Sequence, residues 1–465
     1  MIAEVLDKDF VLKQLEIVRE FLRSGGRRGG DVEPPPVEVT EDDLQTAATA
    51  IDNSLASEAA GSSGPRGYDT ATSDRRGDSQ ESPPSIDNRA FISSDPVLSI
   101  TQSVLEQYIA HKNAAATDQS GSGRRDGGGD EADPVTGSRI DRRVFDQFSV
   151  TDPGWVSSLI AMGIQKFRNP HAFNASPAPS VEMKERCRIV MVGDWGSGLP
   201  RAQATAKAMR TCIDQCLTDG TDCHVIHLGD VYYSGWDTEY RDRFLPYWPV
   251  KKGEQSKIRS WSLNGNHDMY SGGYGYFGTL LADPRFERQA MSSFFRLYNK
   301  NWQVLGLDTA YDDNGLRDPQ SKWVRDTLAA NSQKTMLLTH HQFFSAYENT
   351  PDVGAALREK LKPLLAAGRI DAAIWGHEHR CLTHSSYEGV RYPRLVGHGG
   401  VPVYMTHAEG DAYPAPATFE DRRYIAHGLE KWAYMGFVVL DFDGPTFKTR
   451  YVDENGLVTK EEQFT

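Results

Sequence analysis

The chain has 465 residues, 39% of them hydrophobic, and a formal net charge of −13 at neutral pH. That acidic balance excludes a general nucleic-acid binder, because a phosphate backbone is drawn to a basic face. The length allows two or three domains, but the apolar deficit falls in the first third, which is expected to stay largely disordered.

In chain order, Met1 to Arg23 carries Val5, Leu6, Phe10, Leu15, Val18, Phe21 and Leu22 close to helical spacing. It lacks the unbroken apolar run of a signal peptide or a membrane span. Residues 25–88 are rich in Gly, Pro, Ser, Asp and Arg and are expected to be too polar to fold. A second helix is expected over Pro96 to Lys112, followed by a polar linker through Gly137. Residues 1–140 therefore read as a low-complexity extension with one or two isolated helices. These helices either dock on the rest of the chain or recruit a protein partner. Residues 141–186 form a structured lead-in, with Phe145, Phe148, Trp155, Leu159 and Ile160 as its apolar positions. Residues 187–465 form the catalytic domain.

From Arg188 onward short apolar runs alternate with helical stretches. Ile189–Val192, Val225–Leu228, Trp261–Leu263, Val304–Leu307, Met336–Leu338, Ala372–Trp375 and Leu395–Val396 read as buried strands. Helices are expected at Arg201–Leu217, Gln320–Ala330 and Val353–Ala367. Tyr434 to Phe464 reads as two or three strands turning at Asp443-Gly444 and Asn455-Gly456. The fold class is α/β (α+β), with the sheet covered on both faces. The cysteines, Cys187, Cys212, Cys216, Cys223 and Cys381, are odd in number and lack CxxC spacing. They argue against a disulfide framework and for a reducing, cytoplasmic location without a membrane partner.

The chemistry lies at the strand ends. Five of the strands are followed by Gly193-Asp194, Gly229-Asp230, Gly265-Asn266-His267-Asp268, Thr339-His340-His341 and Gly376-His377-Glu378-His379. In open α/β sheets, ligands gather outside the carboxyl ends of strands. Carboxylate, amide, phenolate and imidazole donors suit Fe, Mn or Zn. A Gly-Asp alone is commonplace, and a lone buried His is more often a core residue than a ligand. Five such ends in order make a dinuclear phosphoester-cleaving centre the better reading.

These motifs resemble those of the calcineurin-like metallophosphoesterases. The His expected two residues after the first Asp is replaced by Gly196, and Tyr233 stands three residues after Asp230. That paired change resembles the purple acid phosphatases, most closely their small single-domain form. The resemblance implies a four-layer α/β/β/α sandwich and two metal ions, Fe(III) with Fe(II), Zn or Mn. It also implies that Asp194, Tyr233 and His379 hold the first metal, that Asn266, His340 and His377 hold the second, and that Asp230 bridges them. Gln342 stands where the family usually has Pro, which leaves His340 the less firmly placed ligand. His267 is the candidate general acid, Asp268 a residue that orients an imidazole or caps a loop, and His398 a further residue lining the cleft. The expected activity is hydrolysis of small phosphate monoesters. A phosphodiesterase of cyclic nucleotides or other small diesters, or a catalytically silent phosphate-binding scaffold, is the alternative.

Overall fold

The computed structural model describes residues 8–23, 40–59, 92–106, 170–176, 178–348, 353–427 and 430–464. The expectations for most of the linkers, for residues 107–112 of the second helix and for residues 141–169 lie outside the described residues. The chain divides into two compact units: Met1–Pro170 with Tyr270–Tyr274, and His171–Met269 with Gly275–Thr465.

In the first unit, α1 (Lys8–Arg23) buries Val11, Leu15, Val18 and Leu22, one side chain per turn. Its partner is α2 (Glu41–Ala59), which buries Ala47, Ala48 and Ile51 and ties Asp52 to Arg23 Nη2 at 2.8 and 2.9 Å. The expectation that residues 25–88 would not fold is corrected here for 41–59. The contact stripe is mostly alanine, which scores low in hydrophobicity but is the strongest helix former. Residues 96–106 are helical, and Asp95 caps the first turn by accepting from the N–H groups of Val97 and Leu98 at 2.9 Å.

Among the described residues the second unit holds sixteen strands in chain order. They are β1 (Ser180–Glu182), β2 (Arg186–Val192), β3 (Asp222–His227), β4 (Ile258–Ser262), β5 (Phe295–Tyr298) and β6 (Trp302–Gly306). Then come β7 (Lys334–Thr339), β8 (Ile370–Trp375), β9 (Cys381–His384), β10 (Val390–Val396) and β11 (Ala417–Glu420). The last are β12 (Tyr424–His427), β13 (Glu430–Ala433), β14 (Gly436–Asp443), β15 (Thr446–Asp453) and β16 (Val458–Phe464). One sheet has six strands in the order β16-β15-β14-β2-β3-β4, and the other eight in the order β1-β5-β6-β7-β8-β10-β9-β11. The strands that matter for the site, β2-β3-β4 in one sheet and β6-β7-β8-β10 in the other, run parallel. The described part of the expected lead-in packs on this unit, since β1 pairs with β5 and Phe173 stacks on Phe294 and Tyr311.

Period-two side-chain alternation explains the layers. Ile189 and Met191 of β2, Val438 and Leu440 of β14, and Met336 and Leu338 of β7 meet between the sheets. The intervening Val190, Val192 and Val439 face outward under α3 (Pro200–Asp219), whose Ala202, Ala206, Met209 and Ile213 recur at helical spacing. α3 opens on Pro200 and closes at Gly220, which has φ +72° and donates its N–H to Cys216 O. Leu337 and Ala373 face α4 (Gln320–Ala330) and α5 (Ala355–Ala366), which contribute Val324, Leu328, Leu357, Leu361 and Leu365. The result is a four-layer α/β/β/α sandwich. No helix among the described residues is long and apolar enough to cross a membrane.

Candidate metal centre

The two sheets bring the carboxyl ends of β2, β3, β4, β7 and β8 to one place. Asp194 Oδ1 lies 3.2 Å from His379 Nε2, and Asn266 Oδ1 lies 2.9 Å from His340 Nε2 and 3.0 Å from His377 Nδ1. Between these two groups stands Asp230, whose Oδ2 is 3.4 Å from His340 Nε2. Asp194, Asp230 and His340 are completely or almost completely buried.

Tight backbone packing makes this convergence possible. A Cβ on Gly376 would lie 2.5 Å from Asp194 Oδ2, and one on Gly265 would collide with Asp230 Oδ1. Asp194, Asp230, His377 and His379 all adopt left-handed backbone, with φ of 54°, 76°, 73° and 44°. Such conformations cost roughly 1–3 kcal/mol each and persist where the surroundings fix them. Here Gly229 O accepts from Asp194 N at 3.0 Å, and Asp194 Oδ2 accepts from His377 N at 2.8 Å.

The imidazoles have assigned faces. His340 Nδ1 lies 3.0 Å from Leu228 O, a carbonyl that can only accept, so the proton sits on Nδ1 and the Nε2 lone pair faces Asn266 and Asp230. Its neighbour His341 joins the same group: one ring nitrogen each of His340, His341 and His377 lie within 4.8 Å of one another, and His341 Nδ1 is 3.1 Å from Thr309 Oγ1. Burial, then the neighbouring imidazoles, depresses both His340 and His377 far below the usual histidine value. Burial, then the charges of Asp194 and Asp268, pushes the Asp230 carboxyl well up. A pack of buried acids beside neutral imidazoles is what cations would relieve, and this donor set fits two of them.

The phenol differs from the motif count. It is Tyr232 OH that reaches Asp194 Oδ1 at 3.2 Å, Asp230 Oδ2 at 3.1 Å and His379 Nε2 at 2.9 Å. Tyr233, expected there, is turned away: Arg243 lies over its ring, and burial followed by the Glu239 charge raises its hydroxyl.

The other expected residues fall as follows. His267 packs its ring 4.6 Å from Tyr232, with Nδ1 on Tyr233 O, and burial holds it down at about 3. Asp268 orients no imidazole. Its Oδ2 accepts from Asp230 N at 2.8 Å and Gly265 N at 2.6 Å, Tyr240 OH donates to its Oδ1, and burial raises it to about 6. His398 does not line the donor set. Its backbone carbonyl accepts from Gly436 N, a Cβ on Gly436 would lie 2.8 Å from its Nε2, and burial lowers it to about 4. The strand leading to it directs Gly397, not the imidazole, toward Asp194 Oδ2. Sequence reasoning missed Glu378 as an anchor: Ser345 Oγ and Trp375 Nε1 donate to it and pin the turn between His377 and His379.

A family model described as calcineurin-like phosphoesterase matches residues 187–381. Human tartrate-resistant acid phosphatase type 5 is 28% identical over 240 residues, covering 44% of this chain and 70% of that protein. A solved structure from Plasmodium, GAP50, the anchor in the inner membrane complex, aligns with a TM-score of 0.45 and 14% identity over 60% of this chain and 89% of that one. A dimetal phosphatase from Danio rerio aligns with a TM-score of 0.41 and 11% identity over 60% and 98%. The matched model spans the strand ends that bring these side chains together, so residues 187–381 form a calcineurin-like phosphoesterase domain, and with the similarity to the acid phosphatase this supports a metal-dependent phosphatase.

Proposed function

We propose that the protein hydrolyses small phosphate monoesters at a dinuclear centre. The observation that carries this reading is the pair of donor groups sharing Asp230. Asp194, Tyr232 and His379 would hold one cation, and Asn266, His340 and His377 the other. A phenol with an ordinary pKa near ~10 binds best as phenolate to a strongly Lewis-acidic ion, which favours Fe(III) on the Tyr232 side and Fe(II), Zn or Mn on the other. Bound there, the metals supply charge neutralisation and a water acidic enough to deliver hydroxide.

The chain's own residues orient the rest. Asp230 spans the two groups, and the Leu228 carbonyl keeps the His340 lone pair aimed inward. His267 is fixed through Nδ1 to the Tyr233 carbonyl, which puts the neutral ring's proton on Nδ1, so it serves as general acid only after its Nε2 has taken up a second proton. A monoester dianion offers a charged oxygen to each side of the site, whereas a diester carries only one negative charge. The named acid phosphatase relative supports the same preference. The five cysteines are free and buried, in keeping with a reducing compartment.

The test is turnover of a chromogenic phosphate monoester and its matching diester by metal-loaded wild type and Asp230→Asn. Faster monoester turnover, lost in the variant, is expected. Diester-dominant turnover would replace this reading with a phosphodiesterase, and phosphate binding without turnover would replace it with a scaffold.

A further inference from the structure

The stretch that leads into β1 carries two aromatic rings, and both find partners. The His171 ring stacks on Phe277 of the turn Gly275–Leu280, with 4.8 Å between centres. Phe173 stacks on Phe294 at 5.9 Å and meets Tyr311 edge-on at 5.1 Å. Hydrogen bonds reinforce these contacts. His171 O accepts from Tyr311 OH at 2.7 Å, and Asn174 Nδ2 donates to Met291 O at 3.0 Å. The Arg317 guanidinium lies 4.7 Å from the centre of the Tyr311 ring and 6.0 Å from that of Phe173, so one cation backs both rings.

Tyr311 matters because of what its loop holds. Residues 307–319 join β6 to α4 through turns, with no strand or helix of their own. Such a loop keeps its shape through its contacts. Asp308 Oδ1 accepts from Ala310 N at 3.1 Å and Tyr311 N at 2.9 Å, which shapes the first turn. From the same loop, Thr309 Oγ1 accepts from His341 N at 3.1 Å and lies 3.1 Å from His341 Nδ1. Asp313 Oδ1 lies 3.3 Å from His341 Nε2. Thr309 is fully buried and the Asp313 carboxylate is exposed, so the hydroxyl is the firmer anchor. The loop thus reaches both ring nitrogens of His341, whose ring centre stands 4.8 Å from that of His377 and 5.0 Å from that of His340.

We propose that residues 171–174 form a positioning strap: by gripping Tyr311 they fix the loop after β6, so that Thr309 and Asp313 hold His341 against His377 and His340. The strap acts through the loop and then through His341. A shift of the loop by about an ångström frees the His341 ring and loosens its two neighbours, the kind of remote change that a metal site registers. The inference rests on the dinuclear reading above and adds to it the segment that sets one wall of the second donor group.

The test is metal-competition titration of the full chain with Zn, with hydrogen exchange of residues 309–317 read in the same proteins. Phe173→Ala should speed exchange in that segment and lower affinity for the second ion about 10- to 100-fold. Phe173→Tyr, which keeps a ring, should restore both. In a His341→Ala background, Phe173→Ala should still speed exchange but lower affinity no further. Affinity unchanged in Phe173→Ala, or falling by the same factor with and without His341, overturns the proposal. So does exchange that Phe173→Ala leaves unaltered. If Phe173→Ala fails to fold, Tyr311→Phe, which removes the hydroxyl held by His171 O, is measured in its place against the same outcomes. A wild type that binds no second ion refutes the dinuclear reading instead, and the exchange result then judges the strap by itself.

Discussion

Among single residues, Asp268 shows how much of the site is backbone. Its carboxylate meets no ligand side chain, yet it holds the N–H groups of Asp230 and Gly265. Removing it leaves those two N–H groups and the Tyr240 hydroxyl unpaired, at about 1–3 kcal/mol each. Asp268→Ala should therefore lower metal affinity about 10- to 100-fold, and Asp268→Asn, which keeps one oxygen, should recover part of the loss. Metal-competition titration of the two variants checks this, and equal affinities would refute it. That Asp194, Asp230, Asn266, His340, His377 and His379 meet at one place was legible because each lies in a short contiguous motif behind an apolar strand. The place of the Tyr232 hydroxyl beside them was not, because the motif spacing points to Tyr233 and nothing local tells adjacent tyrosines apart. The orientation of His398 is set by Gly436, which is distant in sequence and close in space.

Among elements, the loops around the centre meet at Glu420, at the end of β11. Its fully buried carboxylate accepts from Arg380 Nη1 at 2.9 Å, His407 Nδ1 at 2.9 Å, Arg422 Nε at 2.8 Å and Tyr347 OH at 2.5 Å. Tyr347 lies on the loop after β7, and Arg380 directly follows His379, so this acid joins two metal-proximal loops to the segment before β12. Burial alone would raise Glu420, but His407, Arg380, Tyr347 and Arg422 together bring it from 4.5 to about 2. A depressed folded value stabilises the fold above the unfolded value and loses that effect as pH falls. The contribution, about 3 kcal/mol at 1.36 kcal/mol per unit, should be complete above roughly pH 4.5 and vanish toward pH 2. Denaturant melts of metal-free protein should show this decline, flattened in Glu420→Gln; parallel declines in the two proteins would contradict it. The long parallel strands and α3, α4 and α5 were legible from periodicity. The short strands β1, β9, β11 and β12 were not, since three or four residues carry too little pattern, and α2 was missed because alanine registers weakly on an apolar scale.

For the whole molecule, stability rests on the layer between the sheets, where residues from β2, β4, β7, β8 and β14 interlock. Leu338 is fully buried there, just before His340. Leu338→Ala should cost about 2–5 kcal/mol in equilibrium unfolding. A loss under 1 kcal/mol would mean that this layer does not carry the fold. The alternation of apolar strands with helices implied a sheet covered on both faces, and the four-layer form came from the family resemblance. The way the two sheets bring their carboxyl ends together comes from tertiary packing, which no local stretch of sequence encodes.

The central claim is that two metal ions are bound through one shared carboxylate. Elemental analysis of the full chain after loading and exhaustive dialysis tests it directly, with Asp230→Asn measured beside wild type. Two ions per wild-type chain and fewer in Asp230→Asn are expected. A wild type that retains at most one ion, or a variant that retains both as tightly, would contradict it.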